Sequence, residues 1–237
     1  PLRKSSRWRR WQIAATPTQR VLINSADQAA VTLQENNHVV IVDLATGSIV
    51  ADWPAGTTTH LADTQDDGQI IFDDLLVDAR REPDAIAWAA GDWLVTANEG
   101  DYDLDLGAGE FVGGRDFTIF SRTGGVLFEP GAEVEERAAQ AGRYNDSRSD
   151  SKGCEIEGVE IGDYLNHTFF FLGAERCDFV AVYRLAGNEV KPKFIQVLAT
   201  GSRPEGLLAI GRRSLFVSAN EGDGTISIFQ GKPGVAE

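Results

Sequence analysis

The chain has 237 residues, 42% hydrophobic and 24% charged, with 25 glycines and a formal net charge of −14. That length can bury one large β domain, and no apolar run is long enough to span a bilayer, so no transmembrane segment is expected. Without Arg3, Lys4, Arg7, Arg9 and Arg10 the body sets 17 basic against 36 acidic residues, a balance that repels nucleic acid and anionic membranes and attracts cations.

Residues 1–17, basic and carrying Trp8 and Trp11, read as a solvated leader. Contact with an anionic partner is the alternative reading. The following "WQIAATPTQ" lacks the apolar core of a secretory signal. Because the sequence starts at proline and contains no methionine, it is expected to be part of a longer chain.

From Thr18 onward, four stretches repeat one pattern of strand, turn, apolar strand, acidic cluster and further strand. They begin at Thr18 ("TQRVLINSADQAAVTLQENNHVVIVDLATG"), Glu82 ("EPDAIAWAAGDWLVTANEGD", resuming at "GGRDFTIFSRTG"), Glu155 and Arg203. Ser25-Ala26-Asp27, Gly91-Asp92, Gly162-Asp163 and Gly211-Arg212 are the expected turns between first and second strands. The apolar runs "WLVTA", "FFFLG" and "LFVSA" are short and rich in β-formers, as strands covered on both faces should be. Units of this kind, recurring about every 45–50 residues, read as β-propeller blades. A sandwich would not need the same polar cluster four times. The expected fold is therefore all-β: a propeller of short antiparallel blades over residues 18–237, with about four blades visible and the domain part of a longer propeller. "GAEVEERAAQAG" is expected to be one short exposed helix in an insertion.

The heptapeptides "VTANEGD" (Val95–Asp101) and "VSANEGD" (Val217–Asp223) belong to the acidic clusters. Superimposing the repeats lines up Glu35, Glu99, Glu175 and Glu221 after the second strand. Asp84, Glu157 and Glu205 line up before the first, with Thr18 in that place in the first repeat. In an antiparallel pair the start of one strand lies beside the end of the next, so both acidic positions should meet at one mouth of the channel. Two carboxylates about 6 Å apart repel by roughly 3 kcal/mol at an effective dielectric near 20. Such a set needs bound cations, arginines or protonation. Hard oxygen donors favour Ca²⁺ or Mg²⁺, and the scattered His38, His60 and His167 suggest no metal role. Arg115, Arg148, Arg176 and Arg203 are placed to pair with the acids or to meet a substrate phosphate. Plain turn chemistry explains the Asn and Gly of these clusters, but not the returning glutamate. "DTQDDGQIIFDD" resembles a calcium loop only loosely and reads as solvated.

Cys154 and Cys177 should lie at the same end of adjacent strands. A disulfide there would point to an oxidising compartment, with two buried thiols as the alternative. No covalent nucleophile is suggested by its neighbours.

The strings "TLQENNHVVIVDLATG", "VTANEGDYD", "GGRDFTIF", "NDSRSDSKGCEIEGVEIG" and "FFFLGAER" together resemble the choice-of-anchor I family. That resemblance implies a secreted or surface propeller, alkaline-phosphatase-like or phytase-like, similar to mesenchyme-specific cell-surface glycoproteins, with affinity for calcium or phosphate. The family usually has proline in place of Cys154, a longer segment between Gly100 and Phe111, and about twice this length. Two functions are expected from these readings. One is a secreted or cell-surface module binding calcium through Glu35, Asp84, Glu99, Glu157, Glu175, Glu205 and Glu221, with a glycan, mineral surface or protein as partner. The other is a metal-dependent phosphoesterase in which Glu175, Arg176 and Arg148 act on a phosphate ester.

Overall fold

The computed structural model describes residues 21–89, 92–103, 110–187 and 189–231, with backbone alone at 101–103 and 110–112. The basic leader, Thr18 and Gly91 lie outside the described residues. The architecture is all-β. The first sheet runs β1 (Val21–Ile23), β2 (Gln28–Leu33), β3 (His38–Asp43) and β4 (Ser48–Pro54), each strand antiparallel to the next. A separate hairpin follows, β5 (Thr57–Ala62) with β6 (Asp74–Arg80). The second sheet joins β7 (Pro83–Trp88), β8 (Leu94–Asn98), β11 (Asp116–Phe120) and β12 (Val126–Phe128), interrupted by the hairpin β9 (Asp101–Asp103) and β10 (Glu110–Val112). After the helix α1 (Glu133–Gln140), the third sheet comprises β13 (Ile156–Tyr164), β14 (His167–Ala174), β15 (Phe179–Leu185) and β16 (Lys193–Ala199). The fourth has β17 (Pro204–Ile210), β18 (Leu215–Asn220) and β19 (Thr225–Gln230).

The first strands of successive sheets are neighbours: β1 lies against β7, β7 against β13, and β13 against β17. Three apolar layers fill the spaces between sheets. Ala30, Val39, Ile41 and Trp53 of the first meet Ile86, Leu94 and Phe120 of the second. Phe117 of the second packs edge-on against Phe170 and Tyr183 of the third. Phe171, Val180 and Val182 of the third meet Leu207 and Phe216 of the fourth. Each buried aromatic or branched side chain contributes on the order of 2 kcal/mol, so the stacking of sheets is the main stabilising term. This is a propeller-like succession of blades. Among the described residues, no packed contact between fourth and first sheets closes a ring.

Two local expectations are corrected. Gly162-Asp163 is not a turn: β13 continues to Tyr164, and Leu165, with φ +56°, makes the bend. A Cβ at Gly162 would come within 2.5 Å of Ala209 Cβ on the fourth sheet, so the glycine serves close sheet packing. The helix α1 is not wholly exposed: Val134 and Ala138 are buried in the core that holds Phe117 and Phe170.

The doubled heptapeptide has a structural reason in its second and fourth letters. Asn98 ends β8, fully buried, and accepts from Thr96 Oγ1 (2.8 Å) while donating to Asp116 Oδ1 (2.7 Å) and Thr118 Oγ1 (2.8 Å). Asn220 ends β18 and repeats the set with Ser218 (3.0 Å), Thr225 (2.9 Å) and Ser227 (3.0 Å). Both asparagines stitch second strand to third inside the blade, where an unmet amide would cost about 1–3 kcal/mol. The third sheet has Leu172, Ala174, Phe179 and Ala181 at these places and uses apolar packing instead.

Candidate cation centre

The acidic position before each first strand is a β-bulge. Pairing shifts between Pro83 and Ala85, between Ile156 and Gly158, and between Pro204 and Gly206, which leaves Asp84, Glu157 and Glu205 out of the ladder. The bulge turns that residue away from its strand's regular alternation. The residue two places earlier is left-handed each time: Glu82 (φ +44°), Glu155 (φ +50°) and Arg203 (φ +57°). Non-glycine residues rarely adopt this conformation, and three equivalent ones mark a built feature.

The second acidic position is pinned to the first by the backbone. Glu175 N donates to Glu155 O (2.9 Å) and Arg176 N to Cys154 O (3.0 Å); in the fourth sheet Glu221 N donates to Arg203 O (2.8 Å) and Gly222 N to Ser202 O (3.0 Å). Cys154 and Cys177 form a disulfide with Cα atoms 5.1 Å apart, clamping the same two segments of the third sheet.

These devices gather acids from two sheets. Carboxylate oxygens of Glu99, Glu155 and Glu157 lie within 4.8 Å of one another. Each pair of anions at that distance repels by about 3 kcal/mol at an effective dielectric near 20. Cationic side chains offset part of this. Lys152 Nζ is 3.0 Å from Glu99 Oε1, and Gln34 Nε2 donates to Glu99 Oε2 at 2.5 Å. Glu155, buried, takes Arg148 on Oε1 and Arg176 Nε on Oε2 at 2.9 Å. Glu175 lies 3.3 Å from Arg176 Nε and 3.9 Å from Arg203 Nε.

The compensation is incomplete at Glu157. Burial, the hydrogen bond with Glu175, and the charges of Glu99, Glu175 and Asp84 push its carboxyl up to about 11. These surroundings favour the protonated form of Glu157, hydrogen-bonded to Glu175. Glu99 is also raised, by burial and by Glu155, against the lowering effect of Lys152 and Gln34. Burial works against the charge of Arg176, but Glu155, Glu175 and Glu157 outweigh it and raise its pKa.

Of the acids expected from sequence, Glu157 interacts with Glu175, Glu99 and Asp84 here. Glu205 and Glu221 are both exposed and line a concavity on the fourth sheet. Glu35 is also exposed, in a 3-10 turn over Gln34–Asn36, and its backbone carbonyl accepts from Arg80. The register explains this correction: β2 ends at Leu33 as β8 ends at Asn98, so the residue equivalent to Glu99 is Gln34. Sequence reasoning placed Arg148 and Arg176 near the acids correctly but missed Glu155, Gln34 and Lys152 as members. Glu155 was legible as an acid two places before an acid. Lys152 comes close only because the 144–154 segment folds back, its carbonyl touching the place where a Cβ on Gly100 would sit. Arg115 is not in the cluster. It is buried and donates to the carbonyls of Asp63 (3.0 Å), Ser149 (3.1 Å) and Ser151 (2.8 Å), an architectural role.

The donors offered by Glu99, Glu155 and Glu157 are all hard oxygens, which suit calcium or magnesium. The residues present therefore fit one divalent cation taking oxygen ligands.

Among solved structures, the chain is similar to U3-55K (11% identity, TM-score 0.48, covering 92% of this chain and 53% of that one). It is also similar to the WD40 repeats of RRP9 (10%, 0.48, 90% and 51%) and to streptogramin B lyase (10%, 0.44, 95% and 58%). The chain thus spans about half the length of the first two. No curated protein matches it. No helix among the described residues is long and apolar enough to cross a membrane. Residues 12–109 and 102–188 match the choice-of-anchor I domain, and this chain belongs to that family.

Proposed function

We propose that the chain is a surface-associated, propeller-like module, secreted or displayed at the cell exterior, that binds calcium through Glu99, Glu155 and Glu157. The observation that carries this reading is the convergence of three carboxylates from two sheets within 4.8 Å. The raised Glu157 carboxyl supports it: a charge the protein leaves unmet is a charge an ion can meet. Family membership supports an extracytoplasmic location, and the disulfide is consistent with an oxidising compartment. Bound calcium would supply positive charge that lets Glu157 ionise. Glu175 would lose its hydrogen bond with Glu157 and keep Arg176 and Arg203 beside it, and Arg148 and Arg176 would fix Glu155 in place. Phosphoester hydrolysis is the weaker reading. Both guanidinium groups meant for a phosphate are already engaged by the two oxygens of Glu155. Binding without catalysis needs only what the side chains already do.

Calorimetric titration with calcium at pH 7.5 tests the proposal. The native chain should bind one ion and release close to one proton, and Glu157→Gln should lower affinity at least tenfold. Unchanged affinity in the variant would remove this site from the account. Aryl-phosphate turnover that is lost in Glu175→Gln would favour the hydrolase instead.

A further inference from the structure

The stretch "DTQDDGQIIFDD" is not wholly solvated. Asp66 and Asp67 are exposed, but Asp63, the residue after β5, is only 3% exposed. The loop it opens runs to Asp74 with five aspartates and no basic residue. This loop lies against the segment that follows α1. Gly68 N donates to Asp146 Oδ2 (2.7 Å), and Phe72 packs edge-on against Tyr144 with ring centroids 5.3 Å apart.

Two carboxylate oxygens of these segments, Asp63 Oδ2 and Asp146 Oδ1, are buried with no hydrogen-bond donor among the described residues. Each carboxylate is oriented through its other oxygen: Asp63 Oδ1 accepts from Gln65 N (3.4 Å) and Asp146 Oδ2 from Gly68 N. The two groups sense each other. Burial first, and the charge of Asp146 after it, raise the pKa of Asp63 against the lowering effect of Gln65, Ser149 and Ile71. Nearby cationic side chains are engaged elsewhere. Arg115 gives its terminal nitrogens to the carbonyls of Asp63, Ser149 and Ser151, while Arg148 goes to Glu155 and Lys152 to Glu99. Leaving a buried carboxylate oxygen unmet is costly, and native proteins resolve it with a partner, an ordered water or an ion.

We propose that Asp63 Oδ2 and Asp146 Oδ1 bind a second divalent cation, which staples the 63–74 loop to the segment carrying Arg148, Lys152 and Glu155. Both donors are hard oxygens, the type that calcium takes, and water completes the shell. A proton shared by the two carboxyls is the competing way to meet both oxygens. The loop's remaining aspartates favour the ion, because their summed field attracts a full cationic charge. With two protein carboxylates the site stands at the weak end of calcium sites, about 10⁻⁴–10⁻³ M, so it fills after the Glu99–Glu155–Glu157 centre and outside a micromolar titration. It uses no residue of that centre, and either can exist without the other.

Equilibrium dialysis with radioactive calcium at pH 7.5, carried from micromolar to millimolar concentrations, tests this in the native chain, Glu157→Gln, Asp63→Asn and Asp146→Asn. The native chain should take up two ions in separate steps. Glu157→Gln should lose the tighter step and keep the weaker one. Asp63→Asn and Asp146→Asn should keep the tighter step and weaken the other at least tenfold. Asp146 is half-buried, so its variant keeps the test decisive should Asp63→Asn fail to fold. Hydrogen exchange gives a second readout: millimolar calcium should slow exchange at residues 64–73 and 145–151 at least tenfold in Glu157→Gln, and should have no such effect in Glu157→Gln/Asp146→Asn. Absence of a second step in the native chain, as a shared proton would give, overturns the proposal. So does a weaker step unchanged in Asp146→Asn. A weaker step that depends on Asp63 and Asp146, with no tighter one, would support this site and count against the Glu157 centre alone.

Discussion

Replacing Glu157 by Gln isolates the one carboxyl that the cluster fails to neutralise. In the folded chain its pKa is raised from 4.5 to about 11, first by burial and then by the hydrogen bond with Glu175. A raised acid binds its proton more tightly folded than unfolded. The stability this gives is therefore complete below pH 4.5 and is lost progressively as pH rises toward 11. Between pH 4.5 and 7.5 the full linkage is about 4 kcal/mol, and solvent screening of a partly exposed group reduces it to roughly 2 kcal/mol. Glutamine keeps an N–H donor for Glu175 but carries no proton to lose. In chelator, Glu157→Gln should match the native chain near pH 4 and melt about 4–8 °C higher at pH 7.5 for a chain of this size. With calcium the order should reverse, since only the native chain gains from the ion. Thermal melts from pH 4 to 9, with chelator and with calcium, measure both effects. A melting difference that stays constant across that range, or a variant less stable than the native chain in chelator at pH 8, would refute the reasoning.

His60 is expected to act in the opposite direction. Burial, then the charge of Arg115, lowers its pKa to about 4, so stability present above pH 6.5 is lost as pH falls toward 4, by about 3 kcal/mol. His60→Leu should flatten this acid limb in chemical denaturation measured between pH 4 and 7. Asn98→Ala removes the amide that joins Thr96, Thr118 and the buried Asp116 carboxyl and should cost about 3 kcal/mol. Asn220→Ala, whose partners are hydroxyls alone, should cost about half that by urea unfolding. Removing the disulfide as Cys154→Ala/Cys177→Ala releases a loop set by a sequence separation of 23 and should cost about 3 kcal/mol. The same variant should weaken calcium binding in calorimetry, because the clamp holds Glu155 against Glu175.

Repetition made the blades legible. A strand with an acid on either side, punctuated by turn residues, recurs because each sheet must cover its neighbour, and that requirement is written into every blade. The disulfide was legible for the same reason: antiparallel neighbours bring strand ends together. Departures from the repeat were less readable. The 3-10 turn after Leu33 moves the equivalent of Glu99 from Glu35 to Gln34, a one-residue offset that acid-to-acid matching conceals. The bulges that expel Asp84, Glu157 and Glu205 leave no composition signal, since any residue can be bulged. Val134 and Ala138 bury one face of α1 against a core built from distant strands, which local spacing alone does not reveal. Glu205 and Glu221 match the pattern yet are exposed, because the pattern specifies a place in a blade and the neighbouring blade decides what meets it.

Anomalous diffraction from crystals soaked in calcium at pH 8 would locate the cation directly. The account requires a peak coordinated by Glu99, Glu155 and Glu157, with Arg148 and Arg176 still on Glu155. Contradiction would be a cluster held together by those arginines and Lys152 alone, with calcium elsewhere on the molecule or nowhere.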